Sequence, residues 1–202
     1  FVAGNVEEAG ELPAMVNSAD GVFHLAAAVG VEMVVRRPVE TIETNVHGSE
    51  RVFELCAAAD VPLLLASTSE VYGRAVSEAF AEDEDLIIGP PTHSRWSYAA
   101  SKLLDEFLAL AYRKEKGFKP VIARLFNTVG PRQVGTYGMV LPRFVAAARH
   151  NAPLRVFGDG RQTRCFCHVD DTVRALRGLM EEPAAIGEIF NVGSQHLISI
   201  RD

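Results

Sequence analysis

The sequence predicts a doubly wound α/β fold, a parallel sheet covered by helices on both faces. Three observations carry that expectation. Short apolar runs rich in branched and aromatic residues recur along the chain, longer stretches with helical spacing lie between them, and turn residues bound each run. Strands that alternate with helices in this way join as parallel neighbours through crossover helices.

Five segments, 22–25, 62–67, 121–126, 154–157 and 189–192, read as buried strands. Between them, 38–59 sets Val39, Ile42, Val46, Val52, Phe53 and Cys56 near one helical face. The stretch 98–116 does the same with Leu103, Leu104, Phe107, Leu108 and Ala111, and 141–150 and 171–180 read as shorter helices. Two segments break the rhythm and read as long loops. Residues 74–95 hold Glu82-Asp83-Glu84-Asp85 and then Gly89-Pro90-Pro91, and residues 127–139 hold Gly130-Pro131-Arg132. Ligands of open α/β sheets sit beyond the carboxyl ends of the strands, so loops there are where chemistry is expected.

Composition narrows the class. At 202 residues, with 48% apolar and 23% charged side chains, the chain suits a single core. No run of about 18 apolar residues offers a membrane span. The net charge of −6 argues against nucleic-acid binding through a basic surface. Three cysteines make no disulfide framework, which fits a reducing cytoplasm.

Two constellations can carry chemistry. In Tyr98-x-x-Ser101-Lys102, the Tyr and Lys stand four apart and share a helix face. A phenol titrates near pH 10, roughly, and a nearby ammonium is expected to lower that value, so the pair can move a proton to or from a hydroxyl. Tyr112 and Lys116 repeat the spacing, but Tyr98 opens the helix beside a loop whereas Tyr112 lies near its end. The second constellation is Leu63-Leu64-Leu65-Ala66-Ser67-Thr68-Ser69-Glu70-Val71-Tyr72-Gly73, a buried run that ends in three hydroxyls and a carboxylate. There Thr68 or Ser69 can hydrogen-bond the oxygen that Tyr98 deprotonates, and Glu70 adds an acid/base group.

Together with further segments, these residues resemble the extended short-chain dehydrogenase/reductase family, in its NAD-dependent nucleotide-sugar epimerase/dehydratase group. Asp20-Gly21-Val22-Phe23-His24-Leu25-Ala26-Ala27 is similar to the family strand that lines the NAD pocket, and Thr44-Asn45-Val46-x-Gly48 to its Asn-x-x-Gly helix motif. The segments 124–132, 157–171 and 190–193 resemble, in order, the strand and loop at the nicotinamide and sugar diphosphate, the nucleotide-sugar segment, and a later strand. The resemblance implies NAD held by Asn5, Leu25, Ala26, Ala27, Asn45, Ser67, Tyr98, Lys102 and Phe126. It implies a UDP-sugar held by Asn127, Leu141, Val156, Phe157 and Arg164, with Arg164 on the diphosphate or a sugar carboxylate. Catalysis would fall to Thr68, Ser69, Glu70, Tyr98 and Lys102. Neither nucleic acid nor membrane is expected as a partner, and a homodimer through the helices at 38–59 and 98–116 is the family expectation.

Local detail separates the outcomes open to a 4-keto sugar. The family's dehydratases carry Thr-Asp-Glu at the strand end, because elimination of water needs an acid and a base; here the middle residue is Ser69. Ser67-Thr68-Ser69-Glu70-Val71-Tyr72-Gly73 looks more like UDP-glucuronate decarboxylases. Gly89-Pro90 followed by Arg95-Trp96-x-Tyr98-x-x-Ser101-Lys102, and Arg164-Cys165-Phe166, resemble the bacterial decarboxylase domain that serves lipid A modification. A UDP-sugar 4-epimerase is the alternative, and a catalytically inactive binding fragment a further one.

Other residues read as structural. Cys165-x-Cys167-His168 lacks the second ligand pair that a zinc site uses and fits alternation along a strand. His24 reads as a core histidine, Trp96 as loop packing, Glu82 to Asp85 as a solvated run, and Arg132 as structural, while Arg143 could meet phosphate or pair locally. A dinucleotide fold opens with a strand, a glycine-rich turn and a helix. No such turn occurs here, and Phe1-Val2-Ala3-Gly4-Asn5-Val6 resembles the turn near adenine that follows the family's third strand. The expectation is therefore a Rossmann-like sheet lacking its first βαβ unit, with part of a small substrate-binding subdomain. The core would span 1–135, a substrate-binding segment 136–166, and a return to the core with the start of the C-terminal substrate region 167–202.

Overall fold

Four parallel strands in the order β1-β2-β3-β6 form the centre of the molecule: β1 (Val22–His24), β2 (Leu63–Thr68), β3 (Pro120–Leu125) and β6 (Ile189–Val192). The computed structural model describes residues 1–74, 79–135 and 139–202, without the side chains of Val31 and Glu32. The parts of the two expected loops at 75–78 and 136–138 lie outside the described residues.

Helices fill both faces. On one side lie α1 (Leu12–Asn17), α3 (Pro38–Ala59) and α4 (Trp96–Lys116), which pack Val52, Phe53, Cys56, Ala109 and Tyr112 on Leu63, Leu65 and Ile122. On the other side α6 (Val169–Glu181) places Leu176 against Leu64, Val121 and Ala123. Successive strand residues point to opposite faces, so a strand buried on both sides is apolar at every position, as Leu63, Leu64 and Leu65 are. The short α2 (Val31–Arg36) leads into α3.

The helix ends follow local chemistry. Pro38 opens α3, where its missing N–H costs nothing. Gly117, at φ 69°, closes α4 in the left-handed conformation, and its N–H returns to the Arg113 carbonyl. Arg113, Lys114 and Lys116 in the last turn oppose the negative end of the helix dipole.

A second, three-stranded sheet lies beyond β3. Here β4 (Asn127–Val129) runs parallel to β5 (Thr163–His168), and β5 runs antiparallel to β7 (Leu197–Ser199). The helix α5 (Val140–Arg149) precedes β5. The strand expected at 154–157 does not form. Leu154, Val156 and Phe157 are exposed and pair with no strand, so that apolar run marks a surface rather than a core. The strand lies further on, at Thr163–His168, where Cys167 is buried and Cys165 and Phe166 are half-buried.

After β2 the chain turns through a 3-10 helix, Ser69–Tyr72, and Gly73 bridges Ile87. Gly73 has φ 63° and ψ −110°, and a Cβ there would overlap the Ile87 carbonyl oxygen. Gly73→Ala is therefore expected to destabilise the fold by about 1–3 kcal/mol, read as a lower urea midpoint at unchanged slope.

Candidate active site

Thr68 ends β2 in an extended conformation, and its Oγ1 accepts the Glu70 N–H at 3.2 Å, which starts the 3-10 turn. Its hydroxyl also bonds the oxygen of Tyr98, in the first turn of α4. Because Thr68 already accepts from Glu70, its own proton is free for the phenolic oxygen. Ser69 and Glu70 follow on the same turn, with Glu70 Oε2 3.7 Å from the Arg95 guanidinium. Arg95 in turn stacks over Trp96 at 4.5 Å. The structure thus brings Thr68, Ser69, Glu70, Tyr98 and Lys102 together at the carboxyl end of the central strand.

The expected charge relation within the pair is different. Burial pushes the Tyr98 phenol up to about 12; the Thr68 hydrogen bond opposes this, and the Glu70 and Asp105 carboxylates add to it. Lys102 does not counter the burial, because its ammonium donates to Asp105 Oδ2 at 2.8 Å, with both side chains almost wholly buried. Tyr98 is a neutral phenol, and the spacing rule located the pair without revealing the third member on the same face. The competing pair separates clearly: Lys116 lies over the Tyr112 ring at 4.1 Å, and the Tyr112 hydroxyl donates to Glu54 Oε1 at 3.4 Å, near the far end of α4.

Two polar frames support the site. In the first, Asn45 of α3 accepts the Ala28 N–H at 2.7 Å and donates to Ser101 Oγ at 3.0 Å. Ser101 donates to the Tyr98 carbonyl at 2.9 Å. This joins the loop after β1 to the turn that carries Tyr98. In the second, Arg124 of β3 donates to Glu106 of α4 through Nε at 3.1 Å and Nη2 at 2.8 Å. Ser67 also donates to Glu106, and Arg124 Nη1 donates to the Tyr72 hydroxyl at 3.0 Å and the Glu82 carbonyl at 3.1 Å. Tyr72 donates to Asn191 Oδ1 at 2.8 Å, and Glu82 Oε1 accepts the Asn191 N–H at 2.7 Å.

These frames alter several sequence readings. Asn45 and Ser67 are buried and hydrogen-bonded within the protein. Glu82 is a tether between its loop and β6, not merely a solvated charge. The roles of Asp105, Glu106, Arg124 and Tyr72 emerge only from the structure. A signal existed: Arg124 interrupts an apolar strand, and a buried guanidinium must find a carboxylate. Asp105 and Glu106 follow Lys102 at helical spacings of three and four.

The remaining candidates lie apart. Leu25 and Ala26 are exposed beyond the carboxyl end of β1, and Ala27 is half-buried beside them. Asn5 borders an open groove of about 870 Å³ with Arg36, Arg37 and His47. Phe126 is half-buried, 6.2 Å from the Phe80 ring, and Asn127 is exposed. Phe157 lines a cleft of about 210 Å³ with Val140, Arg143, Phe144 and Arg155. The Arg143 and Arg155 guanidinium groups lie over its ring at 5.7 and 5.1 Å. Leu141 and Val156 are partly exposed, and Arg132 is exposed with φ 68°. Arg164 on β5 is exposed and donates to the Thr163 carbonyl at 2.7 Å.

A parallel doubly wound sheet with a Tyr-x-x-x-Lys helix beyond its central strand defines the class of Rossmann-fold enzymes related to the short-chain dehydrogenases. The chain belongs to the NAD dependent epimerase/dehydratase family, whose sequence profile matches residues 1–193. It is 43% identical over 189 residues to the UDP-N-acetyl-alpha-D-glucosaminuronate decarboxylase of Bacillus cytotoxicus, covering 93% of this chain and 58% of that protein. It is 38% identical over 175 residues to UDP-glucuronic acid decarboxylase 1 of Arabidopsis thaliana, covering 87% of this chain and 40% of that one. Its fold matches the UDP-glucuronic acid 4-epimerase of Bacillus cereus, solved in complex with UDP-glucuronic acid and NAD. There the TM-score is 0.90 at 31% identity, over all of this chain and 62% of that one.

His24 supplies a pH test of the core. Its Nε2 lies 3.1 Å from Ser49 Oγ, and burial, helped by the Lys102 charge, pushes the imidazole down to about 4. Below about pH 6.5 the unfolded chain gains a proton there that the folded chain refuses, so stability falls as pH drops from 6.5 towards 4. The loss is expected to reach on the order of 3 kcal/mol in urea titrations, and His24→Gln should flatten that slope.

Proposed function

We propose that the protein modifies a nucleotide sugar through a transient 4-keto sugar with NAD as cofactor, and that its reaction is the decarboxylation of a UDP-uronate. The observation that carries this reading is the turn at the end of β2, where Thr68 bonds Tyr98 and the next two residues are Ser69 and Glu70. The 43% identity to a UDP-N-acetyl-alpha-D-glucosaminuronate decarboxylase supports it. Leu25 and Ala26 beyond β1, and Tyr98 beyond β2, stand where open parallel sheets hold nucleotide cofactors, which suits NAD.

When bound, NAD supplies a reversible two-electron acceptor for the sugar C4. Tyr98, acting as the phenolate once its own proton has been given up, receives the proton of the C4 hydroxyl and becomes a phenol, and the Thr68 hydrogen bond favours the phenolate that accepts it. A ketone at C4 lies β to the C5 carboxylate, and a β-keto acid loses carbon dioxide readily. In this reading Glu70, half exposed beside Arg95, returns a proton to C5. Ser69 provides no acid for the loss of water. Arg143, Arg155 and Phe157 offer two cations and an aromatic face for the nucleotide end, with Arg164 on the neighbouring strand. Val39, Ile42, Leu104 and Phe107 are exposed apolar residues of α3 and α4, which supports the homodimer. Free cysteines fit a cytoplasmic setting. Among the described residues no helix is long and apolar enough to cross a membrane.

A 4-epimerase is the second reading, favoured by the fold match to the Bacillus cereus enzyme. The carbon count of the product separates the two. Incubated with NAD and UDP-glucuronate, or its 2-acetamido analogue, the protein is expected to release carbon dioxide and form a UDP-pentose by NMR. An epimerised product that keeps its carboxylate would establish the second reading. Tyr98→Phe is expected to lower kcat by about 100-fold or more with substrate affinity little changed, and undiminished turnover would overturn the mechanism.

A further inference from the structure

Lys102 is oriented in an unexpected way for a residue credited with ionising a neighbouring phenol. Its ammonium lies along its own helix, 2.8 Å from Asp105 Oδ2, and the two side chains are 2% and 0% exposed. The other partner of the Asp105 carboxyl is Ser49 of α3. A buried ion pair of this kind contributes little to stability by itself. We propose that Asp105 is a positioning residue of the catalytic site, which holds the Lys102 ammonium away from Tyr98 and offsets its charge, so that Tyr98 is kept as a neutral phenol until Lys102 is drawn off Asp105.

The groups around the pair leave this role to Asp105. On α4, Glu106 is taken up by Arg124 and Ser67, and Ser101 bonds Asn45 and the Tyr98 carbonyl. From α3, Ser49 faces both the Asp105 carboxyl and His24 of β1. His24 is uncharged at neutral pH, because burial pushes its imidazole down to about 4. From the turn after β2, Thr68 bonds Tyr98, and the Glu70 carboxylate is turned towards Arg95. Burial pushes the Asp105 carboxyl up from its ordinary value and Lys102 pulls it back. The carboxylate is thus poised, and exchanging Lys102 between Asp105 and a ligand hydroxyl changes the charge that Tyr98 meets. This rests on the proposed role of Tyr98 as proton acceptor, yet its test needs neither cofactor nor sugar.

The test is an ultraviolet titration of phenolate absorbance in the unliganded protein. The chain has four tyrosines, so the Tyr98 signal is obtained by subtracting the trace of Tyr98→Phe made in the same background. In the native sequence Tyr98 is expected to stay protonated beyond about pH 11, above an ordinary phenol. Asp105→Asn is expected to lower its midpoint by about one pH unit or more, through loss of the offsetting charge. Asp105→Glu, which restores a carboxylate, is expected to return it most of the way. Circular dichroism checks the fold of each variant, and Asp105→Ser, which leaves the ammonium a hydroxyl, replaces Asp105→Asn if the latter does not fold. An ordinary midpoint in the native sequence, or an unchanged one when the carboxylate is removed, overturns the proposal. Failure of turnover with a shifted midpoint would count against the decarboxylase reading alone.

Discussion

The structure depends on a buried guanidinium. Arg124 sits in the middle of a parallel sheet, between apolar neighbours on a strand covered on both faces. A charge there is tolerable only with its hydrogen bonds filled. Burial opposes the Arg124 charge, but the bonds with Glu106 and Tyr72 outweigh it and raise the group's hold on its proton. Glu106 comes from α4, Tyr72 from the turn after β2, and the Glu82 carbonyl from the following loop. One residue of β3 therefore fixes a helix, a turn and a loop with respect to the sheet. Such a pair adds little net stability compared with apolar packing, but removing one partner costs about 3–5 kcal/mol. Its main effect is to specify one arrangement.

That arrangement is the one the proposed chemistry needs. Thr68 and Tyr98 are thirty positions apart in the sequence and meet because β2 and α4 are locked through Ser67, Glu106 and Arg124. Asn45 and Ser101 set the first turn of α4 against the loop after β1. Tyr72 stacks on Phe80 at 4.5 Å and bonds Asn191, which draws the loop after the turn towards β6. The candidate site groups are thus carried on rigid elements, and Glu70 and Arg95 beside the turn are half-exposed.

Where apolar periodicity was the whole signal, the sequence was enough. The helix at 38–59 and the strand at 189–192 have the expected bounds, and β1, β2, β3, α4, α5 and α6 differ by a residue or two at their ends. Hydrophobic spacing could not distinguish burial from an exposed lining at 154–157, because a short apolar run does not name its partner. The short strands β4 and β7 are made by long-range pairing rather than by their own pattern. In the site, the spacing of Tyr98 and Lys102 was readable from the helix period, and Thr68 from the strand end. The orientation of Lys102 was not, because it depends on competition between a phenol and a carboxylate on the same face, decided by depth of burial.

In the proposed function, Thr68 and Tyr98, held by that frame, handle the proton of a sugar hydroxyl at C4. The most direct test of this account uses UDP-glucuronate that carries deuterium at C4, incubated with the protein and NAD, with the product examined by NMR. The account predicts a UDP-pentose that keeps the deuterium at C4 and, in a parallel reaction in heavy water with unlabelled substrate, gains one solvent deuteron at C5. A carbon dioxide-releasing product whose C4 label has washed out into solvent, or a product with no solvent hydrogen at C5, would contradict it.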